Sequence, residues 1–207
     1  MTATKIAFSI AAFLFICLLS LTNNLAQTPP DRNQSEPSYE VVLQTLVASS
    51  GASDKTDVPQ MLSGAVKKLK ANYPYSNYHL SSTSLQRVAS GGTIELKSVS
   101  SEAIPNQERN FSVFSDWTLK NLQILPDAKG QNSVQFDSFR FGQRIPIITS
   151  SVKSESGITN SVVSYEQVGL TIQRFSLSEN VPTVIGSLST LKPDELMFLA
   201  LTVKSAE

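Results

Sequence analysis

Hydrophobic positions along this chain follow two rhythms, and the rhythm changes once. From Tyr39, apolar residues occupy both parities of a period-2 segment: Tyr39, Val41, Leu43 and Val47 on one side, Val42 and Leu46 on the other. A strand buried on both faces has this pattern. Ser49 to Lys55 is small and polar and reads as a loop. Val58, Met61, Leu62, Ala65, Val66 and Leu69 then fall at i, i+3, i+4, i+7, i+8 and i+11. That spacing predicts one stripe of an α-helix. Asp57 is placed to cap its first turn, Pro59 is tolerated there, and Gln60 stands where a capping box needs it. Asn72 and Pro74 end it.

The remainder has the period of strands. Tyr78 to Val88 is one, and Thr93 to Val99 is another, with Gly91-Gly92 as the turn between them. Residues 39–99 therefore read β-α-β-β, one helix over one face of a small sheet. Ser100 to Arg109 is polar, contains Pro105, and is the best internal boundary. Beyond it, Phe111, Val113, Trp117 and Leu119 share one parity. Asp127 to Asn132 reads as a turn. Val134 and Phe136 are in phase with each other, but Phe139 and Phe141 are out of phase with them, which predicts a bulge or a change of face. Val162 to Ile172 and Thr183 to Leu188 continue the series. Leu196 to Val203 is apolar on both parities and predicts a central strand. The expected fold class is α+β, mostly antiparallel, with one main amphipathic helix: a β-α-β-β module over 39–100 and an all-β segment over 110–207.

The N-terminus adds an address. Lys5 precedes an apolar run from Ile6 to Leu21, broken only by Ser9 and Ser20, then a polar Thr22-Asn23-Asn24 and a cut after Ala26. This is the order of a secretory signal peptide over 1–26. The run is about 16 residues, against roughly 20 for a membrane-spanning helix. An uncleaved segment would turn the leader into an anchor. Residues 27–38 contain almost nothing that can be buried and read as a flexible leader. The expected localisation is the periplasm or outer cell envelope.

Composition narrows the chemistry. The only cysteine, Cys17, lies inside the signal, so the exported chain has no disulfide and no thiol. In an oxidising compartment, that favours a bacterial envelope protein with an adequate core. Formal charge is zero for the whole chain and about −1 once Lys5 is removed. Phosphate neutralisation needs clustered cations, so nucleic acid is not an expected partner. The one cluster, Lys67, Lys68 and Lys70, reads as the solvated face of the helix.

No reaction is written in the residues. His79 is the only histidine, and no nucleophile-elbow sequence accompanies it. One histidine cannot form a multi-histidine zinc site. Ser150 and Lys153 match S-x-x-K, but the SDN and KTG motifs that complete that chemistry are missing. A hydrolase using this pair is a third reading, to be removed by an acylation probe that fails to label Ser150. Asp194 and Glu195 are adjacent, would face opposite ways in a strand, and mark a turn after Pro193. No Gly-rich phosphate loop occurs, and no cofactor, metal or catalytic residue is expected. Asn33-Gln34-Ser35 and Asn110-Phe111-Ser112 are glycosylation sequons, relevant only to a eukaryotic secretory route. Trp117, Phe139 and Phe141 are the candidate binding residues; at strand spacing their commoner role is core.

One stretch resembles a known family. Phe139-Arg140-Phe141-Gly142-Gln143-Arg144-Ile145-Pro146-Ile147, followed by a Ser/Thr-rich loop, is similar to a segment of bacterial secretins. Tyr165 to Ile172 resembles the secretin strand after that loop. Val184-Ile185-Gly186-Ser187-Leu188 and Leu196 to Lys204 resemble the closing steps. The order holds over roughly 65 residues, without the Pro-rich insert or a clear membrane-facing lip. The resemblance implies a non-enzymatic structural or assembly component, related to secretins of secretion or pilus systems and acting by strand pairing. Its expected partners are envelope or secretion-system proteins, or further copies of itself. Membrane association would come only through a partner or an uncleaved N-terminal segment. The alternative is a periplasmic module binding a small ligand or glycan, with a pocket around Trp117 and Phe139.

Overall fold

Two antiparallel sheets face each other, and a short helix covers the back of one of them. The computed structural model describes residues 36–51, 57–103, 110–153 and 159–206. Within these, the strands are β1 (Ser38–Ser49), β2 (Asn77–Ala89), β3 (Thr93–Ala103), β4 (Asn110–Lys120), β5 (Gln123–Pro126), β6 (Asn132–Lys153), β7 (Thr159–Ser178), β8 (Thr183–Ser189) and β9 (Glu195–Ser205). The helix α1 is Ser63–Asn72, entered through a single 3-10 turn at Gln60–Leu62. The molecule is mostly antiparallel β-sheet with one short helix among the described residues. The expected signal peptide over 1–26, Cys17 and the Asn33 sequon lie outside the described residues.

The first sheet has the order β2-β1-β9-β8. β1 and β9 are its centre, paired from Tyr39↔Ser205 to Ser49↔Glu195. Both had two apolar parities, and the structure uses both. Tyr39, Val41, Leu43, Met197, Leu199, Leu201 and Val203 face the second sheet and form the inter-sheet core with Ile94, Trp117, Leu119, Phe139 and Phe141. Leu46, Ala48, Phe198 and Ala200 face the other way, against Leu62, Val66 and Leu69 of the helical segment. Tyr73 closes this layer with an edge-on ring contact to Phe198, 4.8 Å between centroids.

The helix begins later than its apolar spacing predicts. Asp57 makes no capping bond. Its backbone bridges to His79 instead, and Leu80 N–H donates to its carbonyl at 3.2 Å. A 3-10 turn advances three residues per turn rather than 3.6. Met61 therefore leaves the buried stripe and is 55% exposed, while Leu62, Val66 and Leu69 hold the phase. At the far end, Asn72 Nδ2 donates back to Lys68 O at 3.0 Å, and the chain turns extended at Tyr73.

The second sheet runs β3-β4-β6-β7, with β5 continuing the line of β4 along the same edge of β6. The Gly91-Gly92 turn joins β2 to β3, but these strands belong to different sheets, so it is a corner and not the expected hairpin. Gly91 has φ +72°, a value glycine adopts without strain, and its N–H donates to Leu122 O at 2.7 Å. The phase change between Phe136 and Phe139 is real. Asn121, Asp137 and Arg174 lie in one transverse row across β4–β5, β6 and β7. Asn121 and Arg174 have φ of 54° and 51°. All three strands change face at this row with no slip in register. Val134, Phe136 and Leu177 on one side of it and Phe139 and Phe141 on the other consequently enter the same core. Chain order and sheet membership differ. β9, from the 110–207 segment, pairs with β1 of the 39–100 segment, while β3 joins the second sheet.

Candidate functional site

Small side chains open the sandwich at one end. Packed sheets stand about 10 Å apart, a gap that large residues from both faces must fill. Near the Gly91-Gly92 corner they do so. Further along, β2 presents Ser82 and Ser84, and β3 presents Ser98 and Ser100. Serines cannot reach across, so a cleft of about 530 Å³ remains between the sheets. Its apolar surface comes from Leu43, Val47, Leu96, Trp117, Phe141 and Met197.

Polar groups in the cleft are partly satisfied. Thr45 and Ser82 hydroxyls share a hydrogen bond at 2.7 Å, and Gln143 Nε2 donates to Ser115 Oγ at 3.0 Å. At the rim, Lys192 Nζ donates to Glu195 Oε1 at 2.9 Å, so the two charges neutralise each other. Trp117 Nε1 and Ser84 Oγ are shut away from water and have no hydrogen-bond partner among the described residues. Such an orphan costs about 1–3 kcal/mol.

The sequence-derived candidates divide here. Trp117 and Phe141 are cross-strand partners and line the cleft. Phe139 is fully buried behind them, 6.3 Å from the Trp117 ring, and does not reach it. His79 stands exposed at the rim, opposite Val47 in the sheet. Ser150 is exposed in β6, opposite Val162. Ser150 and Lys153 both belong to the strand β6 and not to a helix start. Asp194 lies in the turn after Pro193, and Glu195 opens β9. Lys70 lies over the Tyr78 ring at 5.8 Å. Burial, then Tyr75 and Tyr73, push the Tyr78 phenol above its ordinary value. Among the described residues, no three His, Cys, Asp or Glu side chains gather where a metal could bind.

The pattern of single residues did not mark Ser82, Ser84, Ser98 or Thr45. The signal was available: these residues hold the inward parity of their strands, where an apolar residue is expected.

The second sheet also extends past the first. β6 pairs with β7 from Ser133↔Ser178 to Lys153↔Thr159, whereas its pairing with β4 stops at Arg144. The outer part of this ribbon exposes Ile147, Ile148, Val152, Val162 and Tyr165. On its outer face Tyr165 meets Phe114 edge-on at 5.8 Å, and the Arg144 guanidinium stacks over Phe114 at 4.9 Å. The outer edge of β7 pairs with no other strand among the described residues. A third feature, a polar hollow of about 430 Å³, lies along the Asn121–Asp137–Arg174 row, where Asn121 Nδ2 donates to Asp137 Oδ2 at 2.9 Å.

No protein-family model, curated protein or solved structure matches this chain. Among the described residues, no helix is long and apolar enough to cross a membrane.

Proposed function

We propose that this is an exported, non-enzymatic envelope protein that acts as a structural or assembly component, related in pattern to secretins, through the β6–β7 ribbon. The observation that carries this reading is the exposed apolar set on the ribbon. Ile147, Ile148, Val152, Val162 and Tyr165 contribute nothing to either buried cluster. Scattered exposed apolar residues are ordinary; a group of them on one two-stranded projection marks a contact surface. The open edge of β7 adds a row of backbone donors and acceptors, the substrate for strand addition. The β-α-β-β order of 39–99 is similar in kind to modules that precede a secretin pore.

The test is a photo-crosslinking amino acid at Tyr165 in the exported protein, with Lys129 as the control site in the turn between β5 and β6. The expected result is a crosslink to a second copy or to an envelope protein from Tyr165 only. A strictly monomeric protein that gives no crosslink from Tyr165 removes the reading.

A further inference from the structure

We infer that β7 pairs with β7 of a second copy of this chain, antiparallel about a two-fold axis at Leu170, over residues 166–174. This deepens the assembly reading and rests on it: it names one partner and the segment of β7 that meets it. An exposed strand edge invites pairing unless something blunts it. The other outer strands are blunted. β5 is four residues long and ends at Pro126. β8 has seven residues and carries one extra, Ile185, against β9. β2 carries one extra residue, Ser81, against β1. β3 holds Glu95, Lys97 and Glu102 within eleven residues. β7 has twenty residues, no proline, no lysine and no extra residue against β6. The Leu170 side chain lies over Gly186 of β8, in the facing sheet, but β8 pairs with no residue of β7.

The occupant follows from the residues of this edge. Around Leu170 the segment reads nearly alike in both directions. Gly169 mirrors Thr171, Val168 mirrors Ile172, Gln167 mirrors Gln173, and Glu166 mirrors Arg174. A two-fold axis at Leu170 sets each residue opposite its mirror on the second copy, twice over. Small then faces small, β-branched faces β-branched, amide faces amide, and carboxylate faces guanidinium. Matched cross-strand pairs of this kind stabilise a sheet. Glu166 and Arg174 are the only charges of β7. Both are exposed, and neither has an ion-pair partner among the described residues. Val168, Leu170 and Ile172 are only partly buried, so a strand laid beside them would add to their cover. Arg174 has φ 51°, which ends the regular strand at the ion pair. The contact uses one surface twice and closes at two copies.

The exported protein is followed by sedimentation velocity over a dilution series. The expected result is a monomer–dimer equilibrium. Glu166→Lys and Arg174→Asp each set two pairs of like charges across the axis, and each should weaken the dimer by about tenfold or more. Aspartate is chosen because it tolerates the positive φ of position 174. Mixing the two variants should restore the dimer, because every mirrored charge pair is then opposite in sign. If either variant does not fold, amide exchange of the unaltered protein replaces it, and the 166–174 segment should gain protection as concentration rises. A strictly monomeric protein, association indifferent to both reversals, a mixture no more associated than its components, or exchange in 166–174 independent of concentration overturns the proposal. A monomer that still crosslinks an envelope protein from Tyr165 sinks this inference and leaves the assembly reading standing. Only a monomer that also gives no Tyr165 crosslink removes both.

Discussion

β9 and β7 are both long strands with many apolar residues, and they have opposite fates. From Met197 to Val203, every residue of β9 is buried. It lies between two strands of its own sheet, with the second sheet on one face and α1 on the other. β7 buries Leu177 and packs Leu170, Ile172 and Phe175 partly against the core, then runs outward with Val162 and Tyr165 exposed. The difference is in what covers each strand. Apolar residues in β9 stabilise the fold by leaving water. Those at the outer end of β7, Val162 and Tyr165, keep nearly half of their surface in water.

The comparison can be broken most sharply at Phe198. It touches the rings of Tyr73 and Tyr78 and fastens α1 to the sheet. Phe198→Ala should cost about 3–5 kcal/mol by urea unfolding, with early loss of amide protection in α1. A cost below about 1 kcal/mol would mean that the helix layer contributes little, since surface changes have that size.

Gly169 tests the root of the ribbon. A Cβ there would stand 2.5 Å from Phe141 O, a backbone atom that cannot swing aside. Gly169→Ala should destabilise by about 1–3 kcal/mol through this overpacking, measured by thermal unfolding. It should also disturb the ribbon more than the helix layer, which amide exchange distinguishes.

Glu179 latches the two regions together. Its carboxylate accepts from Ser205 Oγ at 2.7 Å, Ser205 N–H at 3.0 Å and Asn132 Nδ2 at 2.8 Å. The Ser205 hydroxyl first, then Asn132 and the Ser205 amide, hold its pKa below the ordinary value of 4.5. A depressed carboxyl pKa stabilises the folded state above the unfolded value. That contribution is therefore complete above pH 4.5 and is lost as pH falls through the lower folded-state value. Glu179→Gln should flatten the acid side of the stability–pH curve. An unchanged acid limb would show that the latch does not couple to folding.

The smallest effect belongs to the ribbon surface. Val162→Ser and Ile148→Ser should alter stability by no more than about 1 kcal/mol, because the two residues stay 45% and 37% exposed and join neither buried cluster. Both should reduce crosslinking from Tyr165. Stability loss comparable to that of a core residue would place them in the fold rather than in a contact surface.

Much of the architecture was legible along the chain. The double parity of Tyr39 to Val47 and of Leu196 to Val203 announced the two central strands, because only a strand covered on both faces can carry apolar residues at both. The break in phase between Phe136 and Phe139 was visible too. Its cause was not: Asn121, Asp137 and Arg174 are far apart in sequence, and only pairing places them in one row. Trp117 and Phe141 were found as binding candidates from residue type. Phe139 was grouped with them because parity cannot tell a cleft wall from the core behind it.

By itself, then, the sequence determined which residues seek burial and at what period, since side-chain alternation is local. It also determined that the one cysteine, Cys17, lies within the apolar run from Ile6 to Leu21. Tertiary structure decided which strands share a sheet. It sent β3 to the second sheet and brought β9 beside β1, because pairing depends on register and cover and not on proximity along the chain. It alone set serines of β2 and β3 along one cleft with Trp117, and among the described residues it left the end of the β6–β7 ribbon without a covering layer.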